Sequence, residues 1–395
     1  MKKIISIARL LVSVFLLAQS ALLYAQIPKS NHVVVVLEEN HSYSSVIGSA
    51  SMPYLNSLAS QNGLATQYFA NTHPSIGNYF MLTTGQVVTN NDALNSTVNV
   101  DNIVRHLLTA GKTWKSYAES LPSVGYTGND VYPYFRHHNP LSYFSDVVNS
   151  SVQKLNLVPF TEFSTDLANN QLPNFSFVMP NVNHDAHDCP TGPTGCTDAQ
   201  KLAAADSWLK TNIAPLLANP TFQQDGILMI VFDESVDADT AHGGGHIAAV
   251  MVGPHVKKGF QSTVLYQHQN ILRTALDVLG VTTYPGAAST AVDMADLFSV
   301  AAPSPGCTAA TTGVTVCSPA AGSTLGSTVQ FTAAAKSSSP ITAMKIYVDG
   351  VAKFSTSANS LNTSLSIASG PHSVVVQAWD AKGVVLKAPL TIHVQ

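Results

Sequence analysis

A serine in a strand–turn–helix pattern is the first group in this sequence that could act as a nucleophile. The segment 71–86, NTHPSIGNYFMLTTGQ, follows an apolar run and continues with apolar residues at helical spacing. Pro74 suits a turn or a first helical turn, because its missing N–H has no intrahelical partner there. Ser75 is therefore expected near a helix N-terminus, where free N–H groups and the helix dipole favour an anion. A hydroxyl beside an anion site suits phosphoryl transfer, and the alternative is a simple helix N-cap.

Two pairs of oxygen-bearing side chains follow apolar runs, 33–37 and 226–232, that are typical of buried strands. The four residues are Glu39, Asn40, Asp233 and Glu234. Carboxylate and amide oxygens are preferred ligands of hard divalent cations, so these residues predict a metal site. A cation there would lower the pKa of the Ser75 hydroxyl and stabilise charge on a transferring phosphoryl group. Taken alone, the second pair has an alternative role as an acidic helix start.

Three histidines lie near the same predicted strand ends and could bind a phosphate or protonate a leaving oxygen. They are His184, His187 and His246. His246 follows Gly243-Gly244-Gly245, and the alternative is a hydrogen-bonded histidine beside a turn, with the glycines as a flexible hairpin. We expect Ser75, the four oxygen ligands and these histidines to converge, because the carboxyl ends of parallel strands share one edge of a sheet.

The elements that would position these groups alternate between strand and helix. Predicted strands cover 33–37, 64–70, 113–118, 174–179, 226–232 and 247–252. Predicted helices cover 52–61, 100–110, 161–169, 198–218 and 268–280. This alternation predicts an α/β fold with a mainly parallel sheet and helices on both faces. The region 119–151, rich in Tyr, Pro, Asn and Gly, is predicted to be a long irregular insertion that forms one wall of the pocket.

The pattern changes after residue 302. Pro303-Ser304-Pro305-Gly306 precedes short runs with period-two alternation, separated by turn signals such as Asp349-Gly350. These runs predict a small all-β sandwich of immunoglobulin-like character, in which we expect no chemistry. The predicted division is a signal peptide at 1–25, a catalytic domain at 26–302, a linker at 303–312 and the sandwich at 313–395.

The N-terminus and the composition predict an exported protein. A basic start, an apolar run to about residue 23 and the small residue Ala25 are typical of a signal peptide. The run also approaches the length of a spanning helix, so a membrane anchor is the alternative. With 11% charged residues and a net charge of −4, the chain has no basic surface typical of a nucleic-acid-binding protein. We expect a secreted or periplasmic protein with no stable membrane span after cleavage.

The four cysteines form two pairs that are close in sequence. In an exported chain such pairs predict local disulfides. The pairs are Cys189 with Cys196 and Cys307 with Cys317. Because Cys189 lies near His184 and His187, a Cys/His metal site is the alternative for the first pair.

Several motifs occur in a fixed order over about residues 31–298. They are Glu39-Asn40-His41-Ser42-Tyr43, His73-Pro74-Ser75-Ile76-Gly77-Asn78-Tyr79, Pro180-Asn181 with His187-Asp188, and Asp233-Glu234 followed by Gly243-Gly244 and His246. In this order they resemble the phosphoesterase family of bacterial acid phosphatases and non-haemolytic-type phospholipases C, within the alkaline phosphatase superfamily. The C-terminal region resembles bacterial immunoglobulin-like domains, partly through Tyr347-Val348-Asp349-Gly350.

The resemblance implies an alkaline-phosphatase-like fold, Ser75 as the nucleophile and the four oxygen-bearing residues as metal ligands. It also implies that Asn78 and the histidines contact phosphate. Three positions depart from the family pattern: Gly77 replaces a usual proline, His184 stands where asparagine is common, and Gly245 replaces an acid or amide. These departures leave open how many metals bind and which histidine is the acid.

The combined pattern predicts an exported, metal-dependent phosphoesterase that hydrolyses phosphate monoesters through a phosphoserine intermediate. A phospholipase C-type diesterase on the same site is the alternative, although the chain has no basic amphipathic helix typical of membrane binding. A sulfatase is disfavoured because no arginine closely follows Ser75. Two other classes are a catalytically silent protein whose sandwich binds a polysaccharide or surface, and a glycosidase using Glu39 and Glu234.

Overall fold

The computed structural model describes residues 27–299, 307–326 and 328–395. The predicted signal peptide and the first part of the predicted linker lie outside these residues. Of the helices in the described part of the chain, none combines the length and the apolar character that crossing a bilayer requires.

The first described segment, 27–299, is built on a mixed sheet whose eight described strands lie in the order β4-β3-β5-β1-β6-β7-β2-β8. The strands are β1 (Val33–Glu38), β2 (Gly63–Ala65), β3 (Trp114–Ala118), β4 (Leu157–Pro159), β5 (Phe175–Met179), β6 (Ile227–Phe232), β7 (Ala249–Val252) and β8 (Phe260–Ser262). Pairing is parallel throughout except for β7, which is antiparallel to both β6 and β2. The prediction of a mainly parallel sheet is confirmed.

Helices connect these strands. Their bounds are α1 (Tyr43–Val46), α2 (Pro53–Gln61), α3 (Ile76–Thr84), α4 (Ile103–Thr109), α5 (Ser145–Val148), α6 (Thr161–Ala168), α7 (Asp198–Ala218), α8 (Phe222–Asp225) and α9 (His268–Val278). The α2 helix packs against α7, and α3 packs against α9. Between β3 and α5 lies the irregular insertion, which contains short 3₁₀ helices at Arg136–His138 and Pro140–Ser142.

The central strand β1 shows why helices cover both faces of the sheet. All six residues of this strand are buried, as expected for a strand with a helix layer on each side. Just beyond its end, Glu39 accepts a hydrogen bond from Tyr79 of α3, so α3 covers one face of the sheet at this point. Successive side chains of an extended chain point to opposite faces, so the Glu38 side chain points to the other face.

One predicted strand is much shorter than expected. The prediction of a strand over 64–70 is wrong beyond Ala65, where regular pairing ends. After a turn, the chain forms single bridges at Tyr68 with Tyr266 and at Phe69 with His246, and all four residues lie outside the strands given above. The apolar residues of this run are buried, but they pack without continuing a ladder. An apolar sequence alone does not distinguish a paired strand from a buried segment without regular pairing.

The second described unit is an all-β sandwich of two sheets, in the orders β10-β16-β15-β12-β13 and β14-β11-β9. Its strands are β9 (Gly313–Ser318), β10 (Thr324–Leu325), β11 (Thr328–Lys336), β12 (Ile341–Val348), β13 (Val351–Thr356), β14 (Ser360–Ser366), β15 (Gly370–Asp380) and β16 (Val385–Val394). It has its own apolar core, built around Phe331, Met344, Ile346 and Val376. The edge strand β13 is largely exposed and lacks a buried alternation, so its sequence gives little signal of a strand.

Both predicted disulfides are present, Cys189–Cys196 and Cys307–Cys317. The alternative of a Cys/His metal site at Cys189 is therefore wrong, since a sulfur engaged in a disulfide offers no thiolate.

A buried carboxylate ties the two helices on one side of the sheet together. Asp206 of α7 accepts hydrogen bonds from the backbone N–H groups of Tyr54 (2.9 Å) and Leu55 (2.8 Å), in the first turn of α2. The N-cap residue of α2, Met52, supplies no side-chain cap. Asp206 therefore caps α2 from a different helix, which satisfies donors that would otherwise be unpaired.

We expect Asp206→Ala to lower the free energy of unfolding by about 2–4 kcal/mol, because it leaves two buried donors unsatisfied. Asp206→Asn should cost less, since it keeps one acceptor oxygen. The exposed neighbour Ser207 provides the matched control, and Ser207→Ala should stay within about 0.5 kcal/mol of the parent. Urea unfolding followed by tryptophan fluorescence measures all three. Equal stabilities of Asp206→Ala and Ser207→Ala would contradict the capping role.

Candidate active site

Ser75 lies where α3 begins, but its hydroxyl does not cap the helix. The first helical N–H, that of Ile76, donates instead to Asp92 Oδ1 at 3.0 Å. The Ser75 Oγ donates to Glu39 Oε2 at 3.3 Å, and the residue is only 5% exposed. The alternative interpretation of Ser75 as a simple helix N-cap is therefore wrong, because its side chain caps no helical N–H. Asp92 caps the helix, and the Ser75 hydroxyl faces the Glu39 carboxylate.

The ends of three neighbouring strands meet beside Ser75. Strands β1 and β6 run in parallel register, and the Asp233 N–H donates to the Glu38 carbonyl at 2.9 Å. On the other side of β1, the Glu39 N–H donates to the Asp185 carbonyl, beyond the end of β5, at 2.7 Å. Asn40 adopts φ 55°, a left-handed conformation that asparagine tolerates, and it turns the chain away from the sheet. The structure thus brings the polar strand ends together.

Backbone donors orient the central carboxylate of this edge. Asp233 Oδ1 accepts hydrogen bonds from the N–H groups of Asn40 (3.0 Å) and Glu234 (2.6 Å). Its other oxygen, Oδ2, is buried and has no hydrogen bond of normal geometry within the described residues. A buried acceptor with no partner costs stability unless a further group binds it.

Four carboxyl groups are buried at this edge with little positive charge to balance them. They are Glu39, Asp185, Asp233 and Glu234, each at most 3% exposed. Burial raises the pKa of every one of them, and the charge of Asp233 raises the pKa values of Glu39 and Glu234 further. Within the described residues, no lysine or arginine pairs with any of the four, and the basic side chains within 4 Å of their oxygens are the imidazoles of His73 and His138. Such a donor set fits a divalent cation.

Two of the four predicted metal ligands, Glu39 and Glu234, belong to separate groups of potential ligand atoms, and Asp233 belongs to neither group. Glu39 joins His138 and Asp185, whose ligand atoms all lie within 4.8 Å of one another and are buried. Glu234 joins His73 and Asp237 at the same spacing. His138 Nε2 lies 3.2 Å from Glu39 Oε1 and its Nδ1 lies 3.4 Å from Asp185 Oδ2. Because burial lowers the pKa of His138, this imidazole is neutral and able to act as a ligand.

Helix α3 supplies two further side chains to the site. Tyr79 donates its hydroxyl to Glu39 Oε1 at 2.5 Å and stacks on His138 with 5.1 Å between ring centroids. Asn78 donates to the Thr72 carbonyl at 2.8 Å and to Glu234 Oε2 at 3.1 Å. Asn78 therefore links the turn before Ser75 to the acidic edge. The family resemblance implies that Asn78 contacts phosphate directly. Such a contact by the Asn78 amide nitrogen would replace one of the two hydrogen bonds that it donates here.

The three predicted histidines occupy different environments. His187 is 30% exposed and its Nδ1 lies 2.8 Å from Asp188 Oδ1, which leaves Nε2 without a hydrogen bond among the described residues. His184 Nδ1 pairs with Glu119, and that hydrogen bond raises the pKa of His184. His246 is stacked between Tyr43 and Phe69, and its Nε2 bonds the Thr66 carbonyl at 3.0 Å. These contacts match the alternative of a structural histidine for His246.

Sequence analysis did not assign roles to several residues at this edge. They are His73, Tyr79, Glu119, His138, Asp185 and Asp237. The sequence does hold a signal for three of them: His73 and Tyr79 lie in the motif around Ser75, and Asp185 lies between two predicted site histidines. His138 lies in the irregular insertion, and its only signal was the pair His137-His138 in a region predicted to line the pocket.

A family model described as the Phosphoesterase family matches residues 49–282. The chain belongs to the Phosphoesterase family. The matched range contains Ser75, Asp233 and Glu234, so family membership makes the chain a phosphoric ester hydrolase. A model described as a Bacterial Ig domain matches residues 313–376, in the all-β sandwich.

Curated relatives of this Phosphoesterase family member are named phosphatases. A phosphatidylinositol-3-phosphatase of Mycobacterium tuberculosis is 33% identical over 67% of this chain and 81% of its own length. An acid phosphatase of Aspergillus fumigatus is 33% identical over 61% of this chain and 53% of its own length, so the chain spans about half of that relative. Among solved structures, the chain is similar to a protein in the alkaline phosphatase superfamily from Vibrio parahaemolyticus. The match covers 91% of this chain and 82% of that protein's chain, at 13% sequence identity and a TM-score of 0.47.

The glycine-rich loop of this phosphoesterase is packed against the turn that precedes Ser75. The Gly244 N–H donates to the Ala70 carbonyl at 3.1 Å, and the Ala70 N–H donates to the Gly245 carbonyl at 3.0 Å. A Cβ atom on Gly244 would collide with the Thr72 carbonyl oxygen and with the Ala70 side chain. The alternative of a flexible glycine hairpin is therefore wrong, since close backbone approach explains the glycine.

Gly244→Ala tests this positioning role. Gly244 has φ −127°, which alanine adopts freely, so the clash with Thr72 is the main consequence. We expect kcat to fall about 10- to 100-fold, because the turn carrying Ser75 must move. Gly326→Ala, where no atom lies within 4 Å of the added methyl group, is the control and should keep the parental kcat. Parental kcat in Gly244→Ala would show that the loop does not hold Ser75 in place.

Proposed function

We propose that the protein is an exported, metal-dependent phosphomonoesterase that works through a phosphoserine intermediate on Ser75. The observation that carries this proposal is the Ser75 hydroxyl, which does not cap the helix and is bonded to Glu39. It lies beside a buried acidic edge with which no lysine or arginine of the described residues pairs. The names of the curated relatives, acid phosphatase and phosphatidylinositol-3-phosphatase, support monoesters as substrates.

The metal site is proposed on the residues whose geometry fits a cation. Glu39, Asn40, Asp233 and Glu234 are the proposed ligands. The observation in their favour is the buried Asp233 Oδ2, which has no hydrogen bond of normal geometry among the described residues. A bound divalent cation would lower the pKa of the Ser75 hydroxyl and offset charge on the phosphoryl oxygens. His138 and Asp185, which contact Glu39, orient that ligand or complete the set.

In the first step, Ser75 Oγ attacks phosphorus and its proton passes to Glu39 Oε2, the acceptor of its present hydrogen bond. The bond from phosphorus to the alcohol oxygen breaks. That oxygen takes a proton from His187 Nε2, since Asp188 holds the opposite nitrogen of the ring. The products of this step are the free alcohol and phosphoserine.

In the second step, a water molecule gives a proton to His187 Nε2 and attacks the phosphoserine phosphorus. The bond between Ser75 Oγ and phosphorus breaks, Oγ recovers its proton from Glu39, and inorganic phosphate leaves. The acid assigned here is His187. His246, which is stacked between two aromatic rings, has no place in this scheme, and His184 remains a proposed phosphate contact at the edge of the site.

The proposed division of the chain follows the sequence pattern. A signal peptide at 1–25 would direct export, residues 26–302 would form the catalytic domain, and a linker at 303–312 would lead to the immunoglobulin-like domain at 313–395. The two disulfides support a secreted or periplasmic location, because such bonds persist in oxidising compartments. The second domain is proposed to contact a surface or polysaccharide.

Substitution of the nucleophile tests the mechanism. We expect Ser75→Ala to lower kcat for p-nitrophenyl phosphate by about three orders of magnitude or more, because no covalent intermediate forms. The matched control is Ser44→Ala, at an exposed serine of α1, which should keep the parental rate. If Ser75→Ala retained activity, the nucleophile assignment would be wrong and a two-carboxylate mechanism would gain support.

Metal removal separates the remaining alternatives. We expect dialysis against a chelator to abolish hydrolysis of p-nitrophenyl phosphate and an added divalent cation to restore it, since the buried carboxylates then lack their counter-charge. Hydrolysis of p-nitrophenylphosphorylcholine in the same samples reports diesterase activity. Preference for the diester would favour the phospholipase C alternative. Chelator-resistant turnover would contradict the metal requirement.

A further inference from the structure

Three ring side chains of the irregular insertion, together with His187 from the segment after β5, form a group beside the acidic edge. We name this group the aromatic wall, and its members are Tyr132, Phe135, His137 and His187. Phe135 is its centre, with ring centroids 5.2 Å from His137, 6.1 Å from His187 and 6.2 Å from Tyr132. The sequence predicts that this insertion lines the pocket, but of the four members of the aromatic wall only His187 takes part in the proposed mechanism.

Two sets of contacts connect the aromatic wall to the reacting groups. The rings of Phe135 and His187 lie 5.7 Å and 5.9 Å from the ring of His138, which contacts Glu39. His138 in turn forms a buried cluster with Glu39 and Asp185, in which the potential ligand atoms all lie within 4.8 Å of one another. The aromatic wall therefore borders the position of the phosphoryl group.

Exposure increases along the aromatic wall away from the buried acids. Glu39 is fully buried and the His138 side chain is 4% exposed, whereas the His187 side chain is 30% exposed and Tyr132 is 47% exposed. An apolar ring left in water at the rim of a site is available to cover an apolar part of a ligand. A phosphate group bound at Ser75 would have its alcohol portion directed towards this rim.

The outermost ring is held in a fixed position. Tyr132 accepts a hydrogen bond from Asn183 Nδ2 at 2.8 Å, and the same nitrogen donates to the Cys189 carbonyl at 2.6 Å. Cys189 is in turn bridged to Cys196. A ring that is already immobilised loses little conformational entropy when a ligand stacks on it.

We infer that the aromatic wall binds a planar aromatic ring in the alcohol portion of the substrate, so that the enzyme prefers aryl and other ring-bearing phosphomonoesters. This inference rests on the proposed phosphomonoesterase function. The aromatic wall offers a flat apolar surface through Tyr132 and Phe135, on which an aromatic ring can stack. A small polyol has no ring to stack there, so its phosphate ester would gain no binding energy from the wall.

The test compares 2-naphthyl phosphate with phenyl phosphate, whose leaving groups have similar basicity but different ring area, and includes glycerol phosphate. We expect kcat/KM to be about three- to tenfold higher for the naphthyl ester than for the phenyl ester, mainly through KM, as one added ring contact predicts. Tyr132→Ala should bring this ratio close to one, and Tyr132→Phe should preserve most of it, because the ring remains and only the hydrogen bond from Asn183 is lost. Val131→Ala is the matched control, since Val131 is also 47% exposed and makes none of these ring contacts.

Two results would overturn the inference while leaving the proposed function intact. One is a parental enzyme that hydrolyses both aryl esters with equal kcat/KM. The other is a Tyr132→Ala variant in which kcat/KM falls by the same factor for all three esters, as a general structural defect would produce. An enzyme loaded with divalent cation that hydrolyses none of the three esters would overturn the proposed function, and the inference with it.

Discussion

The site depends on one constraint: several carboxyl groups are buried at one edge of a sheet, and no lysine or arginine in the described part of the chain pairs with them. An ionised carboxylate away from water is costly unless it is paired or binds a metal. Here burial raises the pKa values of these acids, and Asp233 keeps an oxygen that has no hydrogen bond of normal geometry within the described residues. A cation is the simplest way to stabilise their charged forms. The surrounding backbone and side chains hold the oxygens in place for it.

Much of that support comes from the backbone of the parallel sheet. The register of β1 with β6 and β5 brings Glu39, Asp185 and Asp233 to adjacent positions, with backbone hydrogen bonds between the chain ends. The α3 helix then adds Ser75 and Tyr79, both bonded to the Glu39 carboxylate. Because so many contacts converge on Glu39, small shifts of α3 change the position of the nucleophile and of a metal ligand together.

The loops around the site differ in what they contribute. The glycine-rich loop approaches the turn before Ser75 too closely for any side chain, so it positions the nucleophile from behind. The irregular insertion instead contributes rings: His138 reaches inward to Glu39, and Tyr132 remains at the rim. One loop therefore governs geometry, and the other governs which alcohol portion can be bound.

The sequence by itself determined the α/β fold, the sandwich, the two disulfides and the location of polar residues at strand ends, because strand and helix periodicity and cysteine spacing are local properties. It also singled out Ser75 through its motif. Only the tertiary structure decided that the Ser75 hydroxyl is not a cap, that His138 and Asp185 contact each other and Glu39, and that His246 is stacked between rings. Those outcomes depend on distances between side chains far apart in the chain, such as Asp92 capping the helix after Ser75, which no local pattern encodes.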